Sequence, residues 1–200
     1  SGSKGVSFRF IDEFMLYDKG SSCIFPKTDI YYALAVFNSK LISYIADCLN
    51  PTVSMMPNDV KRFPFSIPDK EPESFLSRYA STNVEIKKFV CEYYLVEMNY
   101  DDSPLTKFKD NSFNSRAKNF FNYENHLLTQ VLLNEAIINE KIFEVYDLTE
   151  HDKAMVLAKE GKSIGDLPVS PKARDAYLAK SEATKEFPLD AIREFIEALP

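Results

Sequence analysis

The chain has no tryptophan, and its 200 residues include only five glycines, three cysteines and two histidines. Each shortage removes a kind of chemistry. Glycines at positions 2, 5, 20, 161 and 165 do not gather into the turn that brings a backbone close to a nucleotide phosphate. His126 and His151 have no ligand set beside them in sequence, and Cys23, Cys48 and Cys91 are widely spaced and odd in number. Neither a metal centre nor a complete disulfide framework is expected, and the thiols read as reduced. No apolar run reaches the ~18 residues a membrane helix needs, and no charged-then-apolar leader opens the chain. The expectation is therefore a cytoplasmic protein with no membrane partner.

What is present is material for a core, since 45% of residues are hydrophobic and 14% aromatic, enough for one or two domains. The net charge of -6 argues at first against a nucleic-acid partner, because phosphate binding draws its affinity from Lys and Arg. Its distribution softens that argument. Residues 1–68 carry seven bases against six acids, a balance of +1, which leaves -7 for the remainder. A near-neutral first part joined to an acidic second part suits a DNA-reading module whose main phosphate grip lies elsewhere. It equally suits a protein that never meets DNA.

Along residues 6–26, apolar residues alternate at Val6, Phe8 and Phe10 and return at Phe14, Leu16, Ile24 and Phe25, with a turn at 18–22. That period of two predicts a hairpin or two short strands. Ile30, Leu34, Phe37, Leu41, Ile45 and Cys48 then recur at helical spacing, predicting one helix over about 29–49, capped by Thr28 or Asp29 and stopped by Asn50-Pro51. Residues 52–56 suggest a brief strand, Pro57-Asn58-Asp59 starts another helix, and the prolines of 63–68 enforce extended chain. A boundary is placed at 69–73. Beyond it, apolar spacing predicts one or two helices over 75–94, flawed at Ser81-Thr82-Asn83, a long striped helix over 114–145, a helix capped by Asp147 or Thr149, and an amphipathic segment at 188–199. The expected fold is α+β: a small mixed sheet with packed helices over 1–70, then a mainly helical region over 71–200.

The segment 33–44, ALAVFNSKLISY, followed by Leu49-Asn50-Pro51-Thr52-Val53 and Asn58-Asp59-Val60-Lys61-Arg62-Phe63-Pro64-Phe65, resembles the closing half of target-recognition domains in DNA methyltransferases and restriction specificity proteins. Phe8-Arg9-Phe10 with the approach through Gly20-Ser21-Ser22 to Phe25-Pro26 is similar to adenine-specific methyltransferases of the phage-exclusion type, the PglX family of BREX systems. Residues 83–89, 99–105 and 133–149 resemble later segments of the same family, so the likeness covers roughly the first three quarters of the chain. Two departures stand out. The family's tryptophans are missing, and Asp147 occupies a position where the family usually has glycine. A related type II restriction-methyltransferase is the alternative kinship.

The resemblance implies a parent enzyme that transfers a methyl group from S-adenosylmethionine to adenine N6 at a defined DNA site. Asn50-Pro51-Thr52-Val53 is a near miss to the family's catalytic motif, but it lacks the aromatic fourth residue that stacks on a flipped adenine. The chain is therefore expected to be a C-terminal fragment with no catalytic or cofactor residues of its own, working beside an upstream methyltransferase domain. Double-stranded DNA is the implied partner, with other defence-complex subunits as further candidates. Arg and Lys bind phosphates and guanine edges, and turn hydroxyls bind phosphates, so the candidate contacts are Arg9, Lys19, Ser21, Ser22, Lys40, Lys61 and Arg62. Asn38 and Ser39 read instead as packing residues within the helix. Two other functions compete: a helical interaction module of a defence complex, docking through the long stripe, and the specificity subunit of a multi-subunit restriction enzyme.

Overall fold

The computed structural model describes residues 7–11, 23–50, 56–67, 69–96 and 100–161. Among them lie seven helices: α1 (Ile30–Phe37), α2 (Lys40–Leu49), α3 (Pro57–Val60), α4 (Lys70–Cys91), α5 (Pro104–Lys107), α6 (Phe113–Val145) and α7 (Glu150–Glu160). No described helix is long and apolar enough to cross a membrane.

The apolar periodicity of 29–49 is real, but it belongs to two helices. Asp29 starts α1 by accepting hydrogen bonds at Oδ1 from the N–H groups of Tyr31 and Tyr32, at 2.9 and 3.0 Å. At the other end, the Ser39 hydroxyl donates to the Val36 carbonyl (2.7 Å) and accepts from the Ile42 N–H (3.2 Å). One buried serine thus closes α1 and caps α2. Short polar side chains offer the backbone these alternatives to continued helix, which is why the helix breaks at Asn38-Ser39. Asn50 ends α2 as its place before Pro51 predicts. Thr149 and Asp152 form the capping box that opens α7.

The α+β expectation is overturned: the described residues are helical or irregular, and none forms a strand. Residues 7–11 do alternate, yet their neighbour is a helix. Phe8 packs on Phe37 and Phe10 stacks on Tyr31, at ring-centroid distances of 5.0 and 5.4 Å. An extended segment lying on a helix buries every second residue just as a sheet strand does, so period two did not distinguish the partners. The hydrogen bonds differ accordingly. Asn38 takes the place of a ladder, receiving the Phe8 N–H at Oδ1 and donating from Nδ2 to the Phe8 carbonyl, both at 2.9 Å. The turn expected at 18–22, residues 52–55 of the brief strand expected at 52–56, and the amphipathic segment expected at 188–199 fall outside the described residues; Met56 is described and is not in a strand.

Contacts divide the described residues into two units, one holding those up to Ala80 together with 135–161, the other those of 81–134. In the first, Tyr32, Val36, Ile42, Leu76, Ile142 and Val156 are buried against one another, with Phe8, Phe37, Phe65 and Tyr146 at the margin. These residues come from α1, α2, the first half of α4, the last third of α6, and α7. The second unit has its own core of Ile86, Val90, Phe108, Tyr123, Leu127 and Val131. There, Phe89 and Phe108 meet Tyr123 at 5.9 and 5.5 Å. The flaw in apolar spacing near residue 82 is explained inside this unit: Asn134, fully buried, donates from Nδ2 to Asn83 Oδ1 at 2.8 Å. A paired amide can sit in a core where an unpaired one cannot.

Asp147 closes α6 with φ of 51°, in the left-handed region where a Cβ is strained and glycine is not. The Leu148 N–H returns to the Phe143 carbonyl at 3.0 Å across this turn, the usual geometry of a glycine-terminated helix. Here the departure from the resembled family has a physical meaning. Asp147→Gly is expected to stabilise the protein by about 0.5–1 kcal/mol, the relief of strain being partly offset by the freedom glycine gains when unfolded. Ile142→Ala, emptying a fully buried position, should cost about 2–5 kcal/mol. Urea unfolding of both variants checks this; a destabilising Asp147→Gly contradicts the turn assignment.

Candidate nucleic-acid interface

Phe37 organises the part of the first unit where the segments carrying three of the candidate contacts are anchored. Its ring touches Phe8 at 5.0 Å, Phe65 at 5.3 Å and Phe63 at 6.4 Å. Arg9 follows Phe8 in an extended segment, so its side chain takes the other face, and it is exposed. Lys61 and Arg62 immediately precede the buried Phe63 and are exposed as well. Two segments distant in sequence are therefore pinned to one ring, with cations beside the pins.

The turn carrying Lys61 and Arg62 is built by α3 and its cap. The Asp59 carboxylate accepts from Asn50 Nδ2 at 2.8 Å and from the Met56 N–H at 3.1 Å. The Arg62 N–H then bonds to the Asp59 carbonyl at 3.0 Å and the Phe63 N–H to the Val60 carbonyl at 3.1 Å. Asn50 thereby does more than stop α2, because it ties that end to the start of α3. The hydrogen bond from Asn50, then that from the Met56 N–H, then the Arg62 charge hold the Asp59 carboxyl below its ordinary range. Asp59 also offsets part of the local positive charge.

Beyond Phe63 the chain is irregular, with no helix or strand over 64–67, and its backbone is held by tyrosines. Tyr146 Oη accepts the Ser66 N–H at 3.2 Å and donates to the Pro64 carbonyl at 2.8 Å. Tyr32 Oη donates to the Ser66 carbonyl at 2.6 Å. Burial, reinforced by Tyr146 and Glu73, raises the Tyr32 phenol far above its ordinary value, so it remains a donor. Sequence reasoning missed both tyrosines. A signal was available: prolines at 64 and 68 exclude a regular ladder, so the remaining polar backbone groups between them needed partners from elsewhere.

The other candidates are placed differently. Lys40 is half-buried at the start of α2. Its backbone N–H donates to Asn139 Oδ1 at 2.7 Å and its ammonium to the Glu160 carbonyl at 3.4 Å, near the C-terminal end of α7 where a cation is favoured. Burial lowers its pKa, opposed by Glu160 and Glu135. Lys40 also lines a cleft of about 450 Å³ whose walls include Asn139, Phe143, Glu150, Lys153 and Leu157. Within it Lys153 pairs with Glu150 at 2.7 Å. Lys19, Ser21 and Ser22 lie outside the described residues. His126 and His151 are exposed, and Cys23, Cys48 and Cys91 are free thiols.

Asn38 and Ser39 stand at the break between α1 and α2, not within one helix; there Ser39 caps and Asn38 holds Phe8. Asn38 has the paired donor and acceptor that reads adenine, but both are engaged by Phe8. The apolar stripe of α6 is covered too, with Leu127 and Val131 in the core of the second unit and Ile138 and Ile142 in that of the first.

Comparison with known proteins finds one pertinent likeness. The chain is 28% identical over 161 residues to the adenine-specific methyltransferase BrxX of Escherichia coli O9:H4 (strain HS), an alignment covering 76% of this chain and 13% of that protein. The chain thus spans a small part of its relative's length. No family model and no solved structure matches.

The Asn50–Asp59 bond gives a titration test. Because the Asp59 pKa is depressed, the bond contributes fully above the ordinary carboxylate value and is lost as pH falls through the lowered one. In an NMR titration, Asn50→Ala should move the Asp59 midpoint upward towards the ordinary value. A wild-type midpoint at or above that value contradicts the geometry.

Proposed function

We propose that this chain is the DNA sequence-recognition portion of a site-specific adenine-N6 methyltransferase of a phage-defence or restriction-modification system. The observation that carries this reading is the likeness to BrxX, which extends over 76% of the chain. Methyl transfer and S-adenosylmethionine belong, in this reading, to a methyltransferase domain outside the chain. Double-stranded DNA is the partner, in a cytoplasmic setting. Arg9, Lys61 and Arg62 make the contacts, supported by their exposure and by the shared anchoring of their segments on Phe37. Lys40 is left out of that set because its ammonium is directed at the end of α7.

The absence of a sheet among the described residues changes how such a module would read DNA. Contacts come from an irregular segment and a turn held on helices, with phosphates setting the position and base edges the choice of site. A helical interaction module is the weaker reading, because the α6 stripe that would dock a partner is already buried.

The test uses the full-length parent protein. DNA from cells expressing it is sequenced for methylated adenines, and binding to a duplex carrying the resulting motif is measured over a salt series. Arg9→Ala combined with Lys61→Ala and Arg62→Ala should reduce the slope of log K against log salt by about 2–3, as expected for three lost phosphate contacts, and should lower methylation. An unchanged slope together with unchanged methylation refutes the assignment.

A further inference from the structure

We infer that Asn38 and Tyr146 are positioning residues that govern which DNA site is chosen, an inference that rests on the recognition reading above. A strand in a sheet has its register set by a ladder of bonds to its neighbour. The segment around Arg9 and the one that follows Arg62 have no such ladder among the described residues, and the side chains of two helix ends replace it. Asn38, at the end of α1, takes both backbone groups of Phe8 at 2.9 Å. Slipping that segment by one residue would break both bonds and turn Arg9 towards Phe37. Tyr146, just past α6, bridges the Pro64 carbonyl and the Ser66 N–H with one hydroxyl. Pro64 has no N–H to offer, so this bridge and the Tyr32 bond account for the polar backbone groups that hold the segment in place.

Phosphate attraction depends chiefly on how many cations reach the backbone, and tolerates small displacements. Base readout depends on paired hydrogen bonds of fixed geometry. Loosening the two clamps therefore separates these quantities: non-specific binding and its salt dependence persist, while discrimination between sites falls.

Tyr146→Phe removes one hydroxyl and keeps the ring in the core, and Asn38→Ala releases Phe8. Both are made in the full-length parent and compared with the core variant Ile142→Val, which disturbs packing alone. The probes are a duplex bearing the wild-type methylation motif and a scrambled duplex of the same composition. The affinity ratio should fall about tenfold in Tyr146→Phe and Asn38→Ala, comparable to losing one base contact, with the salt slope unchanged and with more methylation at sites one base away from the motif. Ile142→Val should keep the full ratio. A wild-type ratio in Tyr146→Phe overturns the inference even if Asn38→Ala proves too unstable to assay, and so does an equal loss in Ile142→Val. An unaltered slope together with unaltered methylation in the Arg9, Lys61 and Arg62 variant is a different failure: it removes the recognition reading and this inference with it.

Discussion

The carboxamide of Asn38 takes up both backbone groups of Phe8, and the placement of residues 7–11 on α1 follows from that exchange. An extended peptide needs partners for its N–H and C=O groups wherever water is displaced. Here those partners are side chains on helices. With Phe8 held, its ring meets Phe37; Phe37 in turn receives Phe63 and Phe65, and Tyr146 and Tyr32 fix the chain beyond them. The result is a small aromatic pedestal with exposed cations around it. It is made without a sheet among the described residues.

Aromatic rings suit this task for a physical reason. Tilted and offset ring pairs at roughly 5–6 Å contribute about 0.5–1.5 kcal/mol each beyond the area they bury, and a tyrosine adds a hydroxyl that reaches backbone at the edge of the core. The second unit also gathers rings around Tyr123, without a backbone bond from its hydroxyl among the described residues, and pairs the half-buried amide of Asn83 with the buried one of Asn134. Each unit has its own core, and α4 and α6 supply residues to both.

Much of the helical architecture was legible in the sequence because helix signals are local. Asp29, Asn50, Pro57 and Thr149 stand at the boundaries where their side-chain chemistry places them, and α6 begins within a residue of the start its apolar stripe marks. The break at Asn38-Ser39 was harder to see, because two helices in succession preserved one apolar period. The sheet was misread for a deeper reason. Alternation records that one face of an extended segment is buried, and carries no mark of whether a strand or a helix buries it. Of the candidate contacts, the exposure of Arg9, Lys61 and Arg62 was readable from charge and pattern. The anchoring of their segments on Phe37 was not, since contacts between residues nearly thirty positions apart leave no local signature; nor was the turning of the Lys40 ammonium towards the Glu160 carbonyl.

Amide hydrogen exchange at Phe8 tests the central claim most directly. If a helix side chain stands in for a strand, the Phe8 amide exchanges much more slowly than that of Arg9, and replacing Asn38 by alanine abolishes this protection while the amides of α2 stay protected. An amide at Phe8 that exchanges as fast as its neighbours in the wild-type protein, or one that stays protected without Asn38, contradicts the account.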